Sequence, residues 1–450
     1  LYLLGLYLRR QDWCALAARR MDENLRRSVF ADGSQWEQSP LYHCEVLHNA
    51  LNTLHYAQAA GQTLPDRMVE NIRRMCAALA KWCKPNGELL LQSDSDTVDA
   101  RDLLVLGAAL LDDADLYACG GRQFWEENLW DLGIETEVLW AARPAGKQQT
   151  ASAALPDSGN YMLRGAHESF VHMHCGCLGS GHGHADLLHI DAGIAGENVL
   201  TDAGRYTYVN DPTRHALKGP AAHNTTRVDG CDFSTCLDSW GYSALAVPVK
   251  GEYRFTDTAD FVTERKLVFL KQQSVLLVFD RLAGKGTHTF EQNFHFGQGT
   301  LTLTGQTAHW QGKTAAAVLH CLGGGLTLTA HKEPLAPVYN RLEQTDALTV
   351  QRTATDGNWF VTALQLKPDA AAPDMTAALL PVRKLRLQTP LTDAEAQAVR
   401  LTANGQETVV LLCHGEVISE VDLLTAGGYA AYGKAVVFDA DHPLGLCLAW

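Results

Sequence analysis

Nowhere in the 450 residues is there an unbroken apolar run of the ~18 residues that a membrane-spanning helix requires. Positive charge is scarce as well. With 37 Lys+Arg against 51 Asp+Glu, the formal net charge is −14, which argues against a nucleic-acid binder, whose contact face is basic. The opening Leu-Tyr-Leu-Leu-Gly-Leu-Tyr-Leu is apolar, but it lacks a basic flank, a small-residue cleavage site and an initiator Met. It is expected to be a helix entered in mid-course of a longer chain, which allows no inference about a signal peptide. The 12 cysteines contain no Cys-x-x-Cys pair: Cys175-Gly-Cys177 and Cys231-x4-Cys236 have the wrong spacing for a zinc knuckle. Scattered thiols in apolar patterns behave as small hydrophobes. They favour a cytoplasmic location, while the abrupt start leaves a cell-envelope or secreted protein open. A His-Glu-x-x-His helix, the mark of one class of zinc hydrolase, is also missing.

What remains is an ordinary globular composition, 46% hydrophobic and 20% charged, in a chain too long for a single core. Residues 1–142 carry helical periodicity, with helices expected over 13–29, 40–60, 66–82, 98–111 and 123–132. Ser39-Pro40 supplies an N-cap and a first-turn proline. Successive antiparallel helix pairs fit an incomplete α/α toroid. The polar Gly/Pro-bearing stretch 143–157 is expected to be a linker. From Ser158 to the C-terminus the apolar period falls to two, with strands expected at 161–164, 169–174, 187–191, 261–270, 274–280, 301–304, 326–329, 360–366 and 409–413. The fold class is therefore α+β and multidomain, the helical part followed by antiparallel β-sandwich.

The densest cluster of ligand-type side chains lies between Gly181 and His223. His182 and His184 flank Gly183, and Asp186, Asp202 and His223 follow. On an extended chain a step of two returns to the same face, so His182 and His184 can share one cavity. His184, Asp202 and His223 offer two imidazoles and a carboxylate, a donor set that suits zinc with an open fourth position. The bland alternative is that 18 histidines cluster here by chance.

The wording of two segments adds to this. Gly-His-Gly-His-Ala-Asp (181–186), an apolar strand, Thr-Asp-Ala-Gly-Arg-Tyr (201–206), Ala-Ala-His-Asn-Thr (221–225) and Val-Asp-Gly (228–230) together resemble the heparinase II/III family of polysaccharide lyases, which includes alginate and oligoalginate lyases. Asp-Gly-Ser-Gln-Trp-Glu-Gln-Ser-Pro-Leu-Tyr-His (32–43) is similar to that family's tyrosine-bearing helix start, and the resemblance runs over most of residues 1–300. It implies β-elimination at O4 of a uronic acid. The C5 carboxylate is neutralised, a base removes the neighbouring proton, and an acid protonates the departing oxygen. By the same resemblance Tyr42 is the proton-transfer tyrosine and His182 lines the cleavage point. His184, Asp202 and His223 would hold a zinc, structural in role because elimination needs no activated water. The family's carboxylate-neutralising Asn or His would fall before Leu1, and Asn49 follows Tyr42 too closely to replace it. A second tyrosine used by some members has Tyr206 and Tyr208 as its nearest candidates.

Around this core the residues allow two readings each. Glu37 can contact sugar hydroxyls or merely favour the helix dipole. Arg205 and Arg214 can grip a carboxylate or sulfate bidentately or close strand-end salt bridges. Asp186 is expected to hydrogen-bond a ligand imidazole, His43 to orient its neighbour, and His48, His55, His172, His174 and His189 to be structural or exposed. The sequence thus reads as a lyase of acidic polysaccharide or oligosaccharide, heparin/heparan-type glycosaminoglycan favoured over alginate. A zinc hydrolase and a non-catalytic zinc-containing carbohydrate-binding protein compete with it, and a homodimer stays open.

Overall fold

The computed structural model describes residues 1–450 apart from 180, 231–232, 241–248, 256–261, 404, 416–422 and 450. The first part is helical. Gln11–Ser28, Pro40–Ala59, Asp66–Trp82 and Arg101–Leu111 are its main helices, with short ones at Tyr2–Tyr7, Ala114–Cys119, Glu126–Leu132 and Ile134–Ala141. Met68, Ile72, Met75, Leu79 and Trp82 recur at three- and four-residue steps and are all buried, the stripe that lets a helix join a core. Pro40–Ala59 begins as its sequence predicts: the Ser39 side chain accepts from the Tyr42 backbone N–H, and Pro40 occupies the first turn. The helix expected from residue 98 starts instead at Arg101: Asp99 Oδ1 accepts the Arg101 backbone N–H at 3.0 Å, and Asp99 itself bridges to Glu88. No helix among the described residues is long and apolar enough to cross a membrane.

β-structure begins at Ala153, inside the stretch expected as linker, where Ala153–Leu155 pairs with Asn160–Arg164. Phe170–His174, Ile190–Ile194 and Glu197–Leu200 complete a five-stranded sheet. A ten-stranded sheet follows, centred on the long strands Val275–His295 and Glu343–Lys367, and then a second five-stranded sheet and a three-stranded one. The strand pairs are antiparallel throughout. The strand expected at 261–270 is described from Val262, residue 261 lying outside the described residues.

Alternation along the strands explains how the sheets stack. Leu267, Phe269, Leu276 and Val278 share one apolar cluster with Leu163, Val171 and Ile190 of the first sheet. Their immediate neighbours Val268, Leu270, Val275, Leu277 and Phe279 point the other way, into a cluster with Val399, Leu401, Val410 and Val437. The runs Leu-Val-Phe-Leu and Val-Leu-Leu-Val-Phe are continuous because both faces of the ten-stranded sheet are covered. The helical part covers the outer face of the first sheet through Ala78, Trp82 and Leu90 against Leu155, Met162 and Phe170. Polar ties reinforce that junction: Asp32 Oδ2 accepts the Asp157 and Ser158 backbone N–H groups at 2.9 and 3.1 Å, and Asn160 Nδ2 donates to Gln38 Oε1 at 3.1 Å.

Candidate active site and metal centre

Tyr42 stands in the first turn of Pro40–Ala59, and Ser39, which caps that turn, also donates through Oγ to the carbonyl of Asp94 at 2.7 Å. Asp94 belongs to the segment Gln92-Ser-Asp-Ser-Asp96, wholly buried, and its backbone N–H donates to the carbonyl of His182 at 3.0 Å. One serine therefore fixes the tyrosine's helix to the loop that carries the histidine. Gly179 makes the approach feasible: its φ is +73°, and a Cβ there would stand 2.3 Å from the carbonyl oxygen of Glu37.

The outcome is a stacked pair. The Tyr42 and His182 rings lie 3.6 Å apart at 17°, although their residues come from a helix and from a loop between strands. Asp94 orients the histidine: its Oδ2 is 3.0 Å from His182 Nδ1 and its Oδ1 is 2.9 Å from His184 Nε2, while Arg214 clamps both oxygens. Burial opposes the charge on Asp94. The hydrogen bonds from His184, Arg214 and His182 outweigh it and hold its carboxyl well below the ordinary range. An ionised carboxylate only accepts, so Nδ1 of His182 carries a proton and Nε2 is the nitrogen turned away from Asp94. Glu37 Oε2 lies 3.5 Å from that Nε2.

The Tyr42 hydroxyl meets the Tyr208 hydroxyl at 2.7 Å, and Arg205 NH1 donates to Tyr208 at 2.7 Å. Burial, the Tyr42 bond and the Asp94 charge raise the Tyr208 pKa above the ordinary phenol value, with Arg205 pulling the other way, so Tyr208 keeps its proton. Tyr206 is elsewhere: it packs against Ala203, Leu217 and Ala336, and its carbonyl accepts from Asn340 N–H. The two arginines form buried ion pairs. Arg205 grips Asp96 through two bonds of 2.8 and 2.6 Å, and Arg214 grips Asp94. Of the two readings that each arginine allowed, the ion pair is the one the structure shows.

The carboxylates Asp94 and Asp96 had no place in the sequence reading. The acidic Ser-Asp-Ser-Asp run was the available signal, and it carried no imidazole to draw notice. Tyr339 was missed for the same reason. Its ring lies 5.7 Å from that of Tyr208, and the Arg205 guanidinium sits 5.1 and 5.0 Å from the two ring centres.

Behind the Tyr42–His182 pair lies a buried group of metal-ligand type. One donor atom each from His189, Asp202 and His223 falls within 4.8 Å of the others. Asp202 and His223 are two of the three residues expected to hold a metal; the compact group adds His189, expected to be structural, while His184 stands beside it. His189 enters because it ends the turn before Ile190–Ile194 and is drawn inward, with Nε2 3.2 Å from Asp191 Oδ1 and 3.9 Å from Asp202 Oδ2. His184 remains adjacent, its ring 5.7 Å from that of His223. Asp202 Oδ2, both ring nitrogens of His223, His189 Nε2 and His184 Nδ1 are all buried without a hydrogen-bond partner. Orphaned acceptors and imidazoles converging in a buried interior fit a divalent cation. Asp186 does not serve a ligand of this group; it pairs with His174 Nδ1 at 2.9 Å. The turn that presents Asp202 needs Gly204, where φ is +75° and a Cβ would meet the Ala336 carbonyl oxygen at 2.1 Å. The ten cysteines among the described residues are free; the Cys231–Cys236 reading lies outside the described side chains.

A helical part and a stack of antiparallel sheets, with a tyrosine–histidine pair at their junction, define a class that known proteins share. The "Heparinase II/III-like, C-terminal" family matches residues 147–372 and the "Heparinase II/III N-terminus" family matches residues 7–108. The chain belongs to the heparinase II/III-like family. Among solved structures it is similar to a heparinase III gene product, at TM-score 0.74 and 15% identity, covering 90% of this chain and 62% of that one. A heparan sulfate lyase mutant from Pedobacter heparinus gives TM-score 0.74 and 16% identity, over 90% and 63% of the two chains. A chondroitin AC lyase from Streptomyces coelicolor A3 gives TM-score 0.55 and 11% identity, over 100% and 75%. The chain thus spans less than two thirds of the length of the heparinase relatives. No curated protein matches it in sequence.

Proposed function

We propose that the protein is a polysaccharide lyase that cleaves uronic-acid-containing polysaccharide by β-elimination, with heparin/heparan-type glycosaminoglycan as the favoured substrate. The helices are read as part of an α/α toroid and the stacked sheets as its β-sandwich. The observation that carries the reading is the Tyr42–His182 stack, which places two proton-transfer groups on one spot. Nε2 of His182 takes the C5 proton. Electrons from that C–H bond form the C4–C5 double bond, and the C4–O4 bond breaks as Tyr42 protonates the leaving oxygen. Tyr208, bonded to Tyr42 and kept protonated, holds that hydroxyl in place, and after the product leaves the proton taken by His182 returns through solvent to the Tyr42 oxygen. Glu37 accepts from a sugar hydroxyl. Lys218 has no acid partner among the described residues and donates to the Gly181 carbonyl at 3.1 Å; it is the cation placed to offset the substrate carboxylate.

A zinc fits the buried group. Asp202 and His223 would hold it, and His184 is the third ligand we assign. With Nε2–H donating to Asp94, His184 leaves a free Nδ1 lone pair, the carboxylate–histidine–metal order that fixes ligand tautomers. His189 Nδ1 accepts the Asn224 backbone N–H at 3.0 Å, so its Nε2 bears the proton. Bound there, the ion supplies charge that braces the loops beneath His182.

One observation favours a second substrate reading. Both cleft arginines are neutralised by aspartates, which suits an unsulfated uronate such as alginate. The test is a panel of heparan, hyaluronan, chondroitin and alginate oligosaccharides offered to the full-length protein, read by the ultraviolet absorbance of the unsaturated uronate. Absorbance from one substrate, reduced by about 100-fold or more in Tyr42→Phe with folding retained, supports the reading. No unsaturated product from any of the four, or an unaffected variant, overturns it.

A further inference from the structure

We propose that the cavity between the end of the Asp66–Trp82 helix and the strand Asn160–Arg164 is a binding site for a small tetrahedral oxyanion of the sulfate or phosphate class, held by Arg164. The cavity measures about 280 Å³, and its walls include Lys84, Gln148, Thr150, Arg164, Glu168 and Ser169. None of the cleft or metal-centre side chains lines it.

A missing counter-charge marks the site. Four arginines are buried among the described residues: Arg164, Arg205, Arg214 and Arg265. Arg205, Arg214 and Arg265 each grip an aspartate with two nitrogens, namely Asp96, Asp94 and Asp280. Arg164 does not. Its NH2 donates to the backbone carbonyls of Cys83 at 2.7 Å and Lys81 at 3.3 Å, and its Nε has no partner at all. An interior guanidinium facing only neutral groups is costly unless a counter-charge reaches it, and burial pushes its pKa down accordingly. An oxyanion in the adjoining cavity supplies that charge through charge-assisted hydrogen bonds.

The other walls sort themselves around such an ion. Lys84 is already engaged, its Nζ 2.8 Å from Glu88 Oε2 and 3.3 Å from Asn198 Oδ1, so Arg164 is the open charge. Gln148, Thr150 and Ser169 offer neutral polar groups. Glu168 is exposed at the rim, where its sign opposes an anion and keeps it at the Arg164 end. The volume equals several waters of about 30 Å³ each, so the ion can enter free or as the sulfate of a sugar. Because the walls come from both parts of the chain, an ion here clamps the helical part to the first sheet.

Titration calorimetry on the full-length protein, in chloride buffer at fixed ionic strength, tests this with inorganic sulfate, inorganic phosphate, and a sulfated disaccharide against its desulfated form. Saturable binding of an inorganic ion assigns the free anion; saturable binding of the sulfated disaccharide alone assigns the sugar-borne sulfate. Either should vanish in Arg164→Gln. Glu168→Gln, exposed and harmless to folding, should tighten binding by roughly threefold, the size expected of one solvated charge. Tyr42→Phe should leave this binding unchanged, which separates the site from the proposed reaction. No saturable binding of any probe, or affinity unmoved by both Arg164→Gln and Glu168→Gln, overturns the proposal.

Discussion

Asp94→Asn removes one charge and no volume, and the structure says where the loss is felt. The Asp94 carboxylate, itself without exposed surface, accepts from His182, His184 and both terminal nitrogens of Arg214. An asparagine keeps one acceptor and turns an N–H₂ toward groups that are themselves donors. Breaking a buried pair by neutralising one member costs about 3–5 kcal/mol, because the other charge stays buried and unpaired. The denaturation midpoint should fall accordingly. The sign with pH follows from the carboxyl's depressed folded-state pKa: its stabilisation is complete above the unfolded value of about 3.9 and is lost as pH falls below it. The gap between wild type and Asp94→Asn should therefore be widest near neutrality and begin to narrow below about pH 4. Activity suffers separately, since His182 loses the acceptor that sets its tautomer, and turnover should drop by about 10²–10⁴-fold. Turnover is read from unsaturated-uronate absorbance and stability from denaturant titration across pH 3–7. Wild-type turnover in a folded Asp94→Asn protein, or a stability gap that widens on acidification, would refute the reasoning.

Tyr42→Phe should cost at least about 100-fold in turnover while leaving the denaturation curve in place, the hydroxyl being at the cleft and not in the core. Chelation should lower the melting temperature, and Asp202→Ala or His223→Ala should abolish bound metal by elemental analysis; a full metal complement in either variant would dismiss the centre. His184→Ala should lose metal where His189→Gln keeps it, and the reverse outcome would pass the third place to His189. His43, fully enclosed and bonded through Nε2 to the Met75 carbonyl, has its pKa pushed down to about 4 by burial. Its nuclear magnetic resonance titration in the folded protein should show a midpoint near that value, and one at the ordinary 6.5 would contradict it.

Local patterning made the helices readable, because a buried stripe such as Met68-Ile72-Met75-Leu79 repeats at a helical period whatever it packs against. The strands were readable for the same reason. The stacking of the sheets was not, since the two-sided burial of Leu267-Val-Phe-Leu depends on a partner sheet more than a hundred residues later. The same divide runs through the site. Tyr42 and His182 could be nominated from wording alone, yet their contact rests on Ser39 reaching the Asp94 carbonyl, a tertiary bond with no sequence mark. Arg205 and Arg214 show the limit most sharply. A guanidinium beside the proposed active site reads as a substrate grip until the aspartates that occupy it are seen, and those lie in a loop of the other part of the chain.

Asp94 also joins the Tyr42–His182 pair to the candidate metal group. Asp94 holds His182 with one oxygen and His184 with the other, so the residue that sets the tautomer of the proposed base sets that of the proposed ligand as well. The Gly-His-Gly-His spacing acquires a physical reason: both imidazoles must reach one carboxylate while facing different neighbours, Tyr42 on one side and His223 on the other. Arg214 neutralises the same carboxylate, which lets it accept from two rings without taking a proton from either. An ion bound behind His184 would fix that ring, through it Asp94, and through Asp94 the plane of His182 against Tyr42. A metal can then matter to turnover while touching no substrate atom, which is the chemistry expected where the reaction is an elimination and no water needs activating.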